Sequence, residues 1–301
     1  STMYAKASIR SVPKKLGPLA STGAIALFSV VTIAAMLPHI SVVLSSLAVE
    51  GSWYDSVLPT KWTTHNYDTA LSHTLANDSI RNSLLYSSLA VGADLIIGLA
   101  IGYLIVRVKV RGRGLVDALS MLPLAVPGLV MAFGYVAMTL RWPFGKGDPL
   151  EGFVSVVGAD PSPVLLLVVA YAVRRLPYVV RATVAGLEQT SGELEEAALN
   201  MGASRVRAIR TIVVPLITAN LVAGGLLAFS FAMLEVSDSL ILAQRESDYP
   251  ITKAIYVLFE RLGDGPGIAS AMGVWAMALL AVTLVGASVL MGRKMGAIFR
   301  V

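Results

Sequence analysis

Stretches of about 20 mostly apolar residues, the length a helix needs to cross the hydrocarbon of a bilayer, recur along the chain. Six of them predict membrane-spanning helices, at roughly 18–46, 82–106, 115–139, 163–186, 212–243 and 267–292. The first follows a basic stretch, but it is long and no small-residue cleavage site clearly follows it. A retained helix is expected there, and not a signal peptide. No period of 20 to 50 residues repeats along the chain, which excludes a solenoid.

The polar intervals alternate in sign. Lys6, Arg10, Lys14 and Lys15 precede the first span; Arg107, Lys109, Arg111 and Arg113 follow the second; Arg205, Arg207 and Arg210 precede the fifth; Arg293, Lys294 and Arg300 follow the last. The intervening loops hold about as many acids as bases or more, among them Glu50, Asp55, Asp68, Asp148, Glu246 and Asp264. Lys and Arg in short loops stay on the cytoplasmic side. A cytoplasmic segment 1–17, a membrane domain 18–292 with a long cytoplasmic loop at about 187–211, and a cytoplasmic tail 293–301 are therefore expected. The chain is placed in the plasma (inner) membrane as a multi-pass protein in contact with lipid, with both termini inside.

Composition agrees: 301 residues, 55% hydrophobic and only 14% charged, with mean hydropathy +0.72, are too apolar for a soluble domain of this size. An all-α membrane protein is expected. The net charge of +5 is accounted for by the basic loop ends, so it signals topology and not a nucleic-acid partner. With no cysteine and three isolated histidines, His39, His65 and His73, no metal site is expected. No Gly-x-x-x-x-Gly-Lys-Ser/Thr phosphate loop occurs, so this chain should bind no cofactor and carry no ATP site of its own. Gly263, Gly265 and Gly267 around Asp264 and Pro266 imitate a glycine-rich loop and are expected to form a turn on the outer side. No hydrolase motif appears, and an enzyme is not expected.

Within the spans, Pro123, Pro127, Gly128, Pro177 and Pro215 interrupt helical hydrogen bonding, a feature common where helices line a transport path. Gly98 and Gly102 are spaced for close helix packing. Charge inside the membrane is costly and points to function or to internal pairing. Asp94, Arg174, Arg175, Glu235 and Asp238 are such residues, the last two being three apart and so expected on one helix face. They either pair with one another, for instance Arg175 with Asp238, or line a translocation path together with Pro127. Asp117 and Arg181 are expected at an interface near the cytoplasmic ends.

The loop at 187–211 has its own mechanical pattern. Thr190 followed by Glu193 is a capping box, so a short helix should begin near Ser191; Gly202 can end it in a left-handed cap, and Ser204 can start a second helix into the membrane. Ala197 and Ala198 give a low-profile side for a partner's groove, while Glu193, Glu195 and Glu196 offer carboxylates to basic partner residues.

Glu196-Ala197-Ala198, three residues, Gly202, nine residues, then Ile212-Val213-Val214-Pro215 resembles the Glu-Ala-Ala motif of permease subunits of ATP-binding-cassette (ABC) importers, with Val214 in place of the usual Leu. Over roughly residues 55 to 290 the chain is further similar to the ferric-iron, polyamine and aminophosphonate type of these permeases. That similarity is carried by Leu58–Tyr67, Leu122–Gly128, Arg174–Arg181 and the region of Glu235 to Ser239, with Asp94 standing where an apolar residue is expected. The resemblance implies a type I importer fold of six transmembrane helices with a cytoplasmic coupling helix. It also implies a non-catalytic subunit that forms the solute path beside a second permease subunit, the same chain or a paralogue. Two cytosolic ATPase subunits holding ATP and Mg, and an extracytoplasmic solute-binding protein, complete the assembly. Glu193, Glu196, Ala197, Ala198, Gly202, Ala203 and Ser204 would then dock the ATPase. The alternatives are a sugar importer of the same fold or, from other classes, a proton- or sodium-coupled secondary transporter and a membrane scaffold.

Overall fold

Helices dominate the computed structural model, which describes residues 17–53, 56–158 and 160–298. The basic segment before residue 17, Asp55 and Arg300 lie outside the described residues. In order the helices are α1 (Pro18–Leu47), α2 (His65–Ser72), α3 (Thr74–Arg107), α4 (Arg113–Ala125), α5 (Gly128–Thr139), α6 (Val164–Glu188), α7 (Glu193–Asn200), α8 (Arg205–Ala208), α9 (Val214–Met233), α10 (Ser237–Leu242), α11 (Ile251–Phe259) and α12 (Gly265–Ile298). A π turn at Ile209–Val213 joins α8 to α9. Among the described residues β structure is confined to two isolated bridges, Ala48–Trp62 and Ser155–Ser162.

Among the described residues, four helical rods are long and apolar enough to cross a membrane: Pro18–Leu47, Thr74–Arg107, Arg205–Met233 and Gly265–Gly286. The third expected span is not one rod. It bends by 103° between α4 and α5, and the pair makes a fifth crossing if counted as one. Pro127 sits at the break, where it has no N–H to continue α4 and restricts Val126 to extended backbone. The fourth expected span exists as α6 but carries Arg174, Arg175 and Arg181, so its composition alone does not mark it as a crossing. The fifth is also broken, because the helix stops at Met233 and resumes at Ser237. Glu235 therefore lies in the break and Asp238 in the next helix, and the expectation of one shared helix face is corrected. Gly265 and Gly267 lie within α12, not in a turn; only Gly263 takes a left-handed φ of 87°.

The centre of the bundle is α6, flanked by α3 and α9, with α12 against α9 and α1 against α12. The glycine pair of α3 makes the first of these contacts close. A Cβ on Gly98 would stand 2.7 Å from Val179 Cγ1, and one on Gly102 would stand 2.6 Å from Thr183 Cγ2. The two helices thus run parallel in register, 98 beside 179 and 102 beside 183. α1 has one buried residue, Ser46; Val42, Leu44 and Leu47 are half-buried, and most of its remaining apolar surface faces outward, as lipid permits. The end of α1 is tied down by the start of α2 and the segment before it. Asn66 donates to the carbonyls of Ser46 and Ala48 at 3.0 and 3.1 Å, and Thr63 N to that of Leu47 at 2.8 Å, which satisfies three otherwise free acceptors. The π turn precedes Pro215, which cannot donate to the carbonyl of Thr211, and Val214 N bonds instead five residues back to Ile209.

Candidate functional site

The two helix breaks meet. A Cβ on Gly128, the first residue of α5, would overlap Ser237 Oγ and stand 3.2 Å from Arg174 Nη2, so only glycine allows this approach. Arg174 joins the two breaks: its Nε donates to Asp238 Oδ2 at 3.1 Å and its Nη2 to the Gly128 carbonyl at 3.1 Å. The same Nε lies 3.5 Å from Glu235 Oε2. Arg175 Nη2 pairs with Glu235 Oε2, and its guanidinium lies 5.7 Å from the centre of the Phe231 ring. The pairing of Arg175 with Asp238, expected as one example, is thus replaced by Arg174 with Asp238 and Arg175 with Glu235. Successive residues on a helix point about 100° apart, which sends the two guanidiniums to different acids.

Backbone groups freed at the second break find side chains, as a non-aqueous setting demands. Ser237 N donates to Glu235 Oε1 at 3.2 Å, and the Glu235 carbonyl accepts from Ser239 Oγ and Thr252 Oγ1 at 2.5 and 2.6 Å. Tyr171 and Ser239 share a hydroxyl–hydroxyl bond of 2.6 Å. Two guanidiniums and two carboxylates make a cluster of zero net charge that is almost wholly enclosed, with Asp238 at 0% and Glu235 at 4% exposure. In this conformation Glu235 and Asp238 are both bound to α6 through its arginines, and Pro127 marks the break beside them.

Asp94 is also enclosed, at 1% exposure, yet among the described residues neither of its carboxylate oxygens has a hydrogen-bond partner. Asp117 and Arg181 pair at 2.8 Å with partly exposed side chains.

The loop at 187–211 folds as a helix, a left-handed turn and a second helix. Gly202 takes φ 88°; Gly202 N bonds to Leu199 O and Ala203 N to Ala198 O, both at 3.0 Å, the paired pattern of a Schellman cap. Ser204 caps α8 by accepting from Arg207 N at 3.3 Å. The capping box does not form. Thr190 Oγ1 is turned back to the Leu187 carbonyl and accepts from Arg107 Nη2, so α7 starts two residues later than expected, behind a Ser191 Oγ that accepts from Glu193 N.

α7 has two faces. Glu195 and Ala198, three apart, are buried against the bundle. Tyr103 donates to Glu195 Oε1, Arg107 Nε lies 3.7 Å from Glu195 Oε2, and Arg107 Nη2 also holds the carbonyls of Leu187 and Thr190. Glu193, Glu196 and Ala197 face out, together with Leu194 at 56% and Met201 at 82% exposure. Two sequence expectations are corrected here. Glu195 does not offer its carboxylate outward, and Ala198 does not belong to the outer face, because the period of the helix turns both toward α3. The apolar Leu194 and Met201, and Val206 beyond them at 76%, were not anticipated as part of this surface. Helical spacing places Leu194 and Met201 four and three residues from the buried Ala198, so periodicity alone did not reveal their exposure.

Residues 94–293 match the family described as "Binding-protein-dependent transport system inner membrane component". The chain is 28% identical over 253 residues to the ferric transport system permease protein FbpB of Actinobacillus pleuropneumoniae, covering 80% of this chain and 34% of that protein. It is 31% identical over 207 residues to the molybdenum transport system permease protein ModB of Escherichia coli K12, covering 67% and 87%. The chain spans about a third of the length of the ferric-type relatives it matches. Among solved structures, a chain of a bacterial ABC transporter that imports alginate superposes with a TM-score of 0.65 at 16% identity, over 92% of this chain and 98% of that one, which shows a shared fold.

Proposed function

The chain belongs to the family of binding-protein-dependent transport system inner membrane components, and from that membership we propose that it is the membrane subunit of an ATP-driven importer, forming the solute path and taking its drive through α7. The observation that carries this reading is the division of α7 into a face clamped to α3 and an outer face of Glu193, Glu196, Ala197, Leu194 and Met201 that none of the described residues covers. Such a surface, apolar at its centre with carboxylates at its edge, suits the groove of a partner with basic rims. The partner is read as a cytosolic ATPase subunit, two per assembly, which supplies ATP and Mg. A second permease subunit and an extracytoplasmic binding protein complete the complex, and this chain contributes no catalysis. Glu196→Lys should abolish capture of the ATPase by the purified permease while membrane insertion is unchanged. Capture at wild-type level would refute the docking role of this face.

Six crossings are proposed: the four apolar rods, the bent pair α4–α5 as one, and α6, whose arginines are held by internal acids. This count puts α7 on the same side as both termini, in agreement with the Lys and Arg asymmetry. Single cysteines at Lys109 and Ser204 should be labelled by an impermeant maleimide only from the cytoplasmic side, and at Asp68 and Gly147 only from outside; all four positions are exposed and the native chain has no cysteine. Labelling of Ser204 from outside would remove the ATPase from the account. For the solute, ferric iron is the member of the expected set that two relatives carry in their names, and it would be delivered by the binding protein.

A further inference from the structure

Asp94 is the one member of the intramembrane charge set that the neutral cluster leaves out. The parallel register of α3 and α6 fixes its neighbour: Gly102 lies against Thr183 and Gly98 against Val179, so one turn earlier Asp94 lies beside Arg175. Arg175 is accordingly the cation whose field reaches it. Both side chains have unused capacity there. Arg175 Nε is buried without a hydrogen-bond partner, as are both oxygens of Asp94, while Arg175 is engaged with Glu235 through Nη2 alone. A guanidinium carries five donors in a fixed fork, so one enclosed arginine between two enclosed carboxylates can satisfy either with a small rotation of its stem.

A carboxylate enclosed without a partner is expensive, and a static protein has no use for it. The other charges facing this point are Arg174, Glu235 and Asp238, and Arg174 is already committed to Asp238 and to the Gly128 carbonyl. We propose that Arg175 exchanges partners during the transport cycle, pairing with Glu235 in the conformation described and with Asp94 in the alternate one. The exchange would free Glu235, which sits in the break between α9 and α10, from Arg175 and leave it only the 3.5 Å contact with Arg174 Nε, while keeping the Arg175 guanidinium neutralised. Asp94 is then a positioning residue that stabilises only the second conformation, and this proposal rests on the importer reading.

The test compares the assembled permease–ATPase complex without nucleotide and with ATP bound to a hydrolysis-deficient ATPase. Asp94→Asn replaces a carboxyl group that has no hydrogen-bond partner at rest. Its nucleotide-free complex should melt no lower than wild type, its ATP-bound complex should melt several degrees lower by roughly the scaling for a large domain, and transport should fall roughly tenfold or more as the two-state balance shifts. Equal melting shifts in the two states, or unimpaired transport, would overturn the exchange. Should Asp94→Asn fail to assemble, Glu235→Gln carries the test: loss of the resting partner should favour the ATP-like conformation and raise basal ATP hydrolysis, and unchanged basal hydrolysis overturns the proposal. Failure of the importer reading is distinguishable, because wild type itself would then capture no ATPase.

Discussion

Arg174→Leu should prevent assembly of a stable protein. The substitution leaves Asp238, at 0% exposure, without its guanidinium, and it removes the donor that joins the Gly128 carbonyl on one broken helix to the acid on the other. Removing one partner of an enclosed ion pair costs about 3–5 kcal/mol, a large part of a typical domain's whole stability. Arg174→Lys should fall between, since a single ammonium cannot reach Asp238 and the Gly128 carbonyl with a planar fork's geometry. The double variant Arg174→Leu, Asp238→Leu should regain much of the loss, because an apolar pair of similar volume often replaces an enclosed ion pair at little cost. Yield of monodisperse protein in detergent and its melting temperature measure all three. A single Arg174→Leu variant as stable as wild type would show that the cluster does not hold the breaks together.

The helices were legible because spanning length and apolarity are one-dimensional properties, and the rods at Pro18–Leu47, Thr74–Arg107 and Gly265–Gly286 follow the apolar stretches closely. The Gly98 and Gly102 pair was legible as close packing for the same reason: it needs only a spacing of four on one helix. The break at Met233 to Ser237 was not visible, since Leu234-Glu235-Val236 contains no proline or glycine. It is a tertiary outcome, made tolerable by Ser239, Thr252 and the two arginines that satisfy its backbone and acids. Which arginine meets which acid was equally hidden, because it depends on where α10 restarts. In the loop at 187–211 the left-handed cap at Gly202 followed from residue type, whereas the direction of Glu195 did not. Three acids in four residues look alike in sequence, and only Tyr103 and Arg107, some ninety positions away, distinguish one of them.

These contacts form a continuous mechanical route. α7 is held to the end of α3 by Glu195; α3 is held to α6 without slack by Gly98 and Gly102; α6 holds both helix breaks through Arg174 and Arg175. Displacement of α7 would therefore reach the breaks as motion of packed rods and not as bending of loops, since closely packed interiors transmit strain. Spatial continuity alone does not establish coupling, which requires that one of the links be cut while both ends remain intact.

Glu195→Ala is expected to make that cut. The outer face of α7 keeps Glu193, Glu196, Ala197, Leu194 and Met201, so capture of the ATPase should persist, in contrast to Glu196→Lys. What is lost is the bond from Tyr103 and the charge opposite Arg107, and hydrogen bonds to a charged group are worth about 1.5–3 kcal/mol, a factor of roughly 10 to 150 in the latched population. ATP hydrolysis should continue while solute uptake falls by roughly tenfold or more, so the number of ATP consumed per solute rises in proteoliposomes. Two milder variants separate the parts. Glu195→Gln keeps an acceptor for Tyr103 but not the charge, and Tyr103→Phe keeps the charge but not the bond. Arg107 is left in place in each case because it also holds the Leu187 and Thr190 carbonyls, and its loss would unfasten the loop itself. Graded uncoupling, small in each milder variant and full in Glu195→Ala, fits a latch made of both contacts. A wild-type ratio of hydrolysis to uptake in all three would show that α7 passes its motion to the bundle by another route.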